Sequence, residues 1–147
     1  MPTASRARLL MPVRWSDVDL FGHVNNAAFL RYLDDARFAT FPQMGVDSSG
    51  AIADAVLVVV KHEIDYVSAV SFTPDPVAVE VWVSRVGTSS VDFGYEVLRP
   101  DGSQTHLVAR SRMVQVDRIS GRPHPFDAPT RLAFEAVHDN APVLRGW

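Results

Sequence analysis

The stretch "RWSDVDLFGHVNNAAFLRYLDDAR", residues 14–37, decides how this chain folds. Its first half is polar, and its second half repeats apolar or small residues every three to four positions. Those positions are Phe29, Leu33, Ala36 and either Ala39 or Thr40. The charged positions between them are Arg31, Asp34 and Arg37. The spacing predicts a helix of roughly four turns over 25–40, with the charged residues facing solvent. Pro42 and Gly45 predict its end.

The segments on both sides of this helix alternate between apolar and polar residues, which predicts strands. The first strand is predicted at 8–15, with Leu9, Met11, Val13 and Trp15 on one face. Three later strands each have one apolar face, formed by Val56, Val58, Val60, His62, Ile64 and Tyr66, by Val77, Val79, Val81 and Val83, and by Val91, Phe93, Tyr95 and Val97. A further strand is predicted at 104–117 and a short helix at 129–137. The turns between the later strands are too short for parallel crossovers, so these strands are expected to be antiparallel.

The order of one strand, one long helix and four long strands predicts an α+β fold, in which one antiparallel sheet wraps around one apolar helix. A single helix cannot cover both faces of that sheet. Trp82 and Leu98, for example, lie opposite the valine rows. Open sheet edges and apolar patches of this kind are usually paired or covered. We therefore expect a homo-oligomer, either a homodimer or a homotetramer.

Composition limits the classes of function. A chain of 147 residues is long enough for one domain with a buried core. The net charge is −3 and Lys and Arg form no run, which argues against a nucleic-acid partner. The longest apolar run, "AVLVVV", is too short to span a bilayer, and the N-terminus has no apolar signal segment. The chain has no cysteine, which excludes disulfides and a cysteine nucleophile. We expect a cytoplasmic protein without a membrane partner.

The polar segment "DVDLFGHVNN", residues 17–26, has two interpretations. Asp, Asn and His are common in turns and as helix N-caps, and a helix begins here. A cap, however, needs one oxygen, whereas this segment offers two carboxylates, an imidazole and two amides. The free N–H groups of a helix N-terminus also favour developing negative charge. The segment therefore predicts attack by a carboxylate on an acyl carbonyl whose oxygen is held by backbone N–H groups.

These residues resemble the hot-dog fold acyl-CoA thioesterases of the 4-hydroxybenzoyl-CoA thioesterase family. That family shares an Asp-x-Asp-x-x-Gly-His-Val-Asn-Asn entry to a long central helix, which has an acidic residue followed by Ala-Arg. "EIDYVSAVSFTPDPVAVEVWVSRVGTSSVDFGYEV" and "VQVDRISGRPHPF" resemble its later strands and the exit from the last one. The resemblance covers about 8–137. It implies a single hot-dog thioesterase domain over 1–147, with a short C-terminal tail.

The resemblance also implies roles for individual residues. Asp19 matches the catalytic carboxylate, which either attacks the thioester carbonyl or activates a water that does so. Asn26 matches the position whose backbone N–H polarises the thioester oxygen. His23 matches a histidine of the acyl-carrier-protein thioesterase branch, but Phe21 stands where that branch has Asn, so His23 is assigned an orienting or auxiliary role. Asp17 is then expected to be structural.

A second group of residues is predicted to bind the substrate or to brace the loop that binds it: Gly22, Asn25, Ser89, Ser90, Arg110 and Arg112. Asn25 is expected to brace the loop, and the two serines to meet the pantetheine arm if they do more than form a turn. Arg110 and Arg112, together with Arg118 and Arg122, are the nearest grouped cations for the phosphates of coenzyme A. Ordinary solvated charge is the default interpretation of each arginine.

Other candidates have structural interpretations. His62 lies on an apolar strand face and is expected to be a core histidine. Asp34 and Asp35 are expected to be solvated or ion-paired, although one branch of the family carries its catalytic carboxylate on this helix. The histidines lack metal-ligand spacing and no Gly-x-Ser-x-Gly motif occurs. We expect neither a metal nor an organic cofactor.

Three alternative functions stay open. A hot-dog hydratase or dehydratase has Asp-x-Asn-Pro, with a histidine five residues after the Asp. Here that gap is four and no Asn-Pro occurs. A thioesterase acting on acyl-carrier protein would share the fold and differ in the thiol half of its substrate. A non-catalytic acyl-binding module would need the pocket without the carboxylate. The identity of the acyl group is left open by the sequence.

Overall fold

The computed structural model describes residues 6–44, 51–52 and 55–147. The elements are β1 (Ala7–Met11), a 3-10 turn (Trp15–Asp17), α1 (Asn26–Thr40), a second 3-10 turn (Phe41–Met44), β2 (Ala51–Ile52), β3 (Ala55–Tyr66), β4 (Val77–Val86), β5 (Ser90–Leu98), β6 (Thr105–Asp117) and α2 (Ala128–Ala136). The strands form one six-stranded sheet in the order β1-β4-β5-β6-β3-β2, and each neighbouring pair is antiparallel. The sheet packs against α1, so the predicted α+β architecture is confirmed.

Helix α1 begins and ends within one residue of the predicted bounds; Gly45 lies outside the described residues. Its buried positions follow a three-four spacing: Phe29, Tyr32, Leu33, Ala36, Arg37 and Thr40. The prediction that Arg37 faces solvent is wrong, because the residue is only 1% exposed. Its guanidinium donates to Tyr95 Oη at 2.8 Å and to Asp34 Oδ1 at 2.7 Å. The Arg37 charge can be buried because the Tyr95 hydroxyl and the Asp34 carboxylate accept hydrogen bonds from it.

The predicted apolar rows of β4 and β5 are confirmed, since every member is buried in the core beneath α1. Strand β6 adds Leu107, Ala109 and Met113 to the same face. Alternate residues of β6, including Arg110 and Arg112, therefore point away from the helix. The core is thus a layer of valine and aromatic side chains between the sheet and one helix.

The predicted row on β3 is wrong in its first half. The pairing of β3 with β6 shifts register between Val59 and Lys61, so Val60 forms a β-bulge. An extra residue reverses the alternation of faces, and Val59 rather than Val58 therefore shares a face with His62. His62 is not a core residue: it is exposed, and its Nδ1 lies 2.6 Å from Ser111 Oγ. Partial burial and the nearby charge of Arg37 lower the pKa of His62.

Strand β1 is shorter than predicted and ends at Met11, directly before Pro12. Proline has no N–H to donate to a neighbouring strand, which explains the early end. Val13 is buried as expected, but Trp15 is not on the half-buried face: it lies in the 3-10 turn and is 74% exposed. Its ring packs edge-to-face on Phe72, with 5.5 Å between the ring centroids.

Trp82, which was expected to lie on an uncovered face of the sheet, is buried. It is 1% exposed because the Arg6 guanidinium lies 3.7 Å from its ring centroid and its Nε1–H donates to Asn140 O at 2.9 Å. Gly94 makes this possible, since a Cβ there would come within 2.4 Å of the indole. The N-terminal and C-terminal segments thus cover the outer face of β4 within one chain. Leu98, the other residue expected to be uncovered, is also buried.

Three consecutive exposed apolar side chains of the sheet lie instead on β3, at Val58, Val59 and Val60. Within the described residues, β2 pairs only with the first two residues of β3, so most of that edge has no strand partner. We predict that a second copy covers this edge, and that sedimentation finds a dimer or tetramer at micromolar concentration. Val60→Lys should shift the protein toward monomer, whereas Ile119→Lys, at an exposed turn, should not. A stable, active monomer would contradict the prediction.

Candidate active site

The polar segment between β1 and α1 folds into a tight loop closed by backbone hydrogen bonds. The Gly22 N–H donates to Asp19 O at 3.0 Å, and the Asp19 N–H donates to His23 O at 3.0 Å. Gly22 has a φ of 77°, in the left-handed region that glycine adopts without strain. Asp19 Oδ1 accepts the Phe21 N–H at 2.9 Å, which fixes the carboxylate over the turn. The loop therefore orients the side chain of Asp19.

Two sets of contacts anchor this loop to the rest of the fold. The Val24 N–H donates to Val70 O at 2.8 Å, and His23 forms a bridge with Ser71, so the loop pairs with the segment that follows β3. On its other side, the Asn25 N–H donates to Asp17 O at 2.8 Å. The loop is consequently held between the exits of β1 and β3.

Asp17 has the structural role expected for it. Its Oδ2 accepts hydrogen bonds from Tyr32 Oη at 2.8 Å and from Arg14 Nε at 3.1 Å. Burial alone would raise the pKa of the Asp17 carboxyl, but these two hydrogen bonds outweigh burial and hold that pKa below its usual value. Burial and then Asp17 raise the pKa of Tyr32 to about 12, so the phenol stays protonated and keeps donating.

The N-terminus of α1 presents an unused donor. Asn25 is the N-cap: its Oδ1 accepts the Ala27 N–H at 2.8 Å and its backbone oxygen accepts the Ala28 N–H at 3.0 Å. No acceptor among the described residues is bonded to the Asn26 N–H. The first N–H groups of a helix carry partial positive charge, and an unpaired one can hold an anion or a polarised carbonyl oxygen.

Asp19, His23 and Asn26 meet at one pocket of about 330 Å³. The remaining lining residues are Phe21, Val24, Phe29, Tyr66, Val67, Ser68 and Ala69. Within the part of the chain described here, no donor is bonded to Asp19 Oδ2. A residue with a carboxylate oxygen that has no described donor and the first residue of a helix therefore line the same pocket, and attack on a carbonyl needs both kinds of group.

Sequence reasoning missed two polar residues of this pocket, Tyr66 and Ser68. Tyr66 Oη donates to Asn26 O at 2.8 Å and so ties the end of β3 to the start of α1, and burial raises the pKa of this phenol. Ser68 Oγ donates to Thr105 O at 2.9 Å and lies 3.0 Å from His106 Nδ1. Both residues are about forty positions from the motif, and the sequence carried no signal that would bring them to it.

The remaining predicted residues divide into two groups. Gly22 and Asn25 belong to the loop itself and set its turn and its cap. Ser89 lies in the β4–β5 turn, and Ser90 is the first residue of β5. Ser90 pairs with Val114 of β6, seven residues from the Leu107 that pairs with Tyr66. At about 3.3 Å per residue, the serines are roughly 23 Å from the pocket along the sheet.

Arg110 and Arg112 are also not at the pocket. They lie on the sheet face that points away from α1, and both are engaged in ion pairs. Arg110 contacts Glu63 at 2.8 Å and Arg112 contacts Asp92 at 2.7 Å. Burial alone would raise the pKa of Asp92, but hydrogen bonds from Arg112 and then Arg85 lower it. The Asp92 carboxylate is therefore charged and forms ion pairs with Arg112 and Arg85. Neither Arg110 nor Arg112 lines the pocket that contains Asp19.

Within residues 6–44, 51–52 and 55–147, no group of three or more His, Asp or Glu side chains is arranged to hold a metal ion. None of the helices in this part of the chain has both the length and the apolar character needed to cross a membrane.

Known proteins share the sequence pattern and the fold that build this pocket. A sequence model of the thioesterase-like superfamily matches residues 13–134, which include the loop, α1 and all the long strands. The chain belongs to the thioesterase-like superfamily. The predicted hot-dog fold is thereby confirmed, and the predicted class of enzyme, a thioester hydrolase, is confirmed at the level of the superfamily.

Three similar proteins illustrate this membership of the superfamily. YsmA from Bacillus subtilis is 31% identical over 112 residues, covering 75% of this chain and 72% of YsmA. The crystal structure of the PA5185 protein from Pseudomonas aeruginosa is 28% identical with a TM-score of 0.79, covering 92% of this chain and 94% of that one. A thioesterase from Thermus thermophilus, crystallised with coenzyme A and zinc, is 30% identical with a TM-score of 0.76, covering 88% of this chain and 92% of that one.

Proposed function

We propose that this protein is an acyl-CoA thioesterase, which hydrolyses a thioester to a carboxylic acid and free coenzyme A, with Asp19 as the reacting carboxylate. One observation carries the proposal: Asp19 and Asn26, whose N–H has no acceptor among the described residues, line the same pocket at the start of α1. Coenzyme A is proposed as the thiol because the similar thioesterase from Thermus thermophilus was crystallised with it.

The proposed chemistry starts with the thioester oxygen at the Asn26 N–H, which polarises the carbonyl. Asp19 then acts in one of two ways. Its carboxylate attacks the carbonyl carbon and expels the thiolate, leaving an anhydride that water hydrolyses. Alternatively, it takes a proton from a water that attacks the carbonyl, and the resulting tetrahedral oxyanion collapses with loss of the thiolate. In both cases negative charge develops on the oxygen that faces the helix N-terminus.

His23 is proposed as an auxiliary group. It lines the same pocket, and its backbone is fixed by the hydrogen bond to Asp19 and by the bridge to Ser71. An imidazole there can protonate the departing thiolate or orient the attacking water. Ser89, Ser90, Arg110 and Arg112 do not line this pocket, so a role for them in binding coenzyme A would have to be at the end of the molecule far from the thioester, or at the pocket of a second subunit.

The direct test is release of free thiol from a panel of acyl-CoA and aroyl-CoA thioesters, with matching acyl-carrier-protein thioesters in parallel. We expect steady turnover of at least one acyl-CoA and no need for added metal. If the acyl-carrier-protein thioesters are turned over faster, the carrier protein rather than coenzyme A is the thiol half of the substrate. Tight binding of acyl-CoA without release of thiol would contradict the proposed enzymatic activity and would identify the protein as an acyl-binding module.

A further inference from the structure

A second cavity, of about 950 Å³, is also lined by Asp19. Its walls include Trp15, Val18, Leu20 and Phe72. Trp15 and Phe72 are 74% and 45% exposed, and their rings pack edge-to-face across one wall. Two large aromatic side chains held in fixed contact at the protein surface are costly to leave in water, and they mark a place where an apolar group binds.

Asp19 belongs to the lining of both cavities. A carbonyl carbon reacting at this carboxylate carries two substituents, the acyl group and the sulfur, and they point in different directions. The two cavities therefore offer one space for each substituent. Their chemistry differs: the smaller one has His23, Asn26, Tyr66 and Ser68 as hydrogen-bonding groups, whereas the larger one is mostly apolar. Apart from Asp19, its polar side-chain groups are two serine hydroxyls and the indole N–H of Trp15.

The pantetheine arm of coenzyme A contains two amides and needs polar partners, whereas an acyl chain or ring needs apolar surface. We infer that the acyl half of the thioester lies in this larger cavity, a groove with Trp15 and Phe72 side by side in one wall, and that the enzyme acts on bulky apolar acyl groups, either aromatic or medium to long aliphatic. This inference rests on the proposed function for the position of the reacting carbonyl. It assigns Trp15 and Phe72 as the residues that determine specificity.

The size of the expected effect follows from apolar burial. Each methylene removed from water contributes roughly fourfold to binding when fully buried, and less in an open groove. An acetyl group would contact neither ring, so its turnover should not depend on them. Decanoyl and benzoyl groups would contact both, so removing one ring should lower their specificity constant by about tenfold or more.

The kinetic test compares Trp15→Ala, Phe72→Ala and Trp15→Phe with the wild type on acetyl-CoA, decanoyl-CoA and benzoyl-CoA. The alanine variants should lower kcat/KM for the two large substrates by about tenfold or more and for acetyl-CoA by less than about twofold. Trp15→Phe should recover much of the loss. The difference between decanoyl and benzoyl losses tells which class of acyl group the groove prefers. Ile119→Ala, an exposed apolar residue after β6, is the matched control.

A binding measurement separates this inference from the proposed function. Asp19→Asn protein, with and without Trp15→Ala, is titrated with the same three thioesters by calorimetry. Affinity that rises with acyl size and falls with Trp15→Ala supports the groove even if Asp19 proves not to be the catalytic group. Equal losses for all acyl groups, or no loss, overturn the inference while the thioesterase stands. A change of oligomeric state in Trp15→Ala would also overturn it, because the groove would then be an interface between copies.

Discussion

Replacing Asp19 with asparagine is expected to lower kcat for acyl-CoA hydrolysis by roughly 10²–10⁴, the usual contribution of a positioned general base. The amide lacks the negative charge needed to attack a carbonyl or to take a proton from water. Its Oδ1 can still accept the Phe21 N–H, which is the only hydrogen bond that the Asp19 side chain makes among the described residues. Folding, measured by circular dichroism and by the melting temperature, should therefore change little. Turnover close to that of the wild type would remove Asp19 from the chemistry.

Asp17→Asn is the matched control, two residues away on the same loop. It weakens hydrogen bonds to Tyr32 and Arg14 and leaves the reacting carboxylate in place. We expect a loss of stability of ~1–2 kcal/mol, which lowers the melting temperature by a few degrees, and a much smaller loss of kcat than in Asp19→Asn. Comparable activity losses in the two variants would mean that the loop geometry, rather than the Asp19 charge, is what matters.

The stabilisation that Asp17 contributes is expected to depend on pH. Because the pKa of Asp17 is lowered in the folded protein, its stabilisation is present above the unfolded-state pKa of about 3.9 and is lost as the pH falls through the folded-state value. The melting temperatures of wild type and Asp17→Asn should therefore differ at neutral pH and converge in acid.

Much of this fold could be predicted because its signals are local and periodic. The three-four spacing from Phe29 to Thr40 placed α1, and the alternating valines of β4 and β5 placed the core face of the sheet. What failed depended on contacts between distant segments. Burial of Arg37 requires the hydroxyl of Tyr95, which is 58 positions away, and burial of Trp82 requires Arg6 and the C-terminal segment. The bulge at Val60 lies within an unbroken run of apolar residues, where a shift of register changes no sequence pattern.

The residues of the candidate site also divide into those that local sequence could predict and those that depend on distant contacts. Asp19, His23 and Asn26 were predicted together because eight residues of one loop and one helix start contain all three. Tyr66 and Ser68 reach the pocket only because the sheet brings the end of β3 beside the start of α1. Arg110 and Arg112 were chosen for their charge, but whether a charge is available depends on its neighbours, here Glu63 and Asp92.

The second large effect is expected at Asn26, where two substitutions separate the backbone from the side chain. If the backbone N–H holds the developing oxyanion, Asn26→Ala should keep much of the activity because it keeps that N–H. Asn26→Pro removes it and should lower kcat by about 10²–10³, the usual loss for one oxyanion-hole donor.

The structure favours a folded proline variant, which makes the comparison with Asn26→Ala informative. Asn26 is the first residue of α1, a position that proline tolerates well. Asn25, which precedes it, has φ −61° and ψ 140°, the extended conformation that a residue before proline prefers. No hydrogen bond to a described residue is lost, since the Asn26 N–H has no acceptor there. Circular dichroism and oligomer size should therefore match the wild type. If alanine is as damaging as proline in a folded protein, the side-chain amide is the working group, and the oxyanion is not held by the backbone of α1.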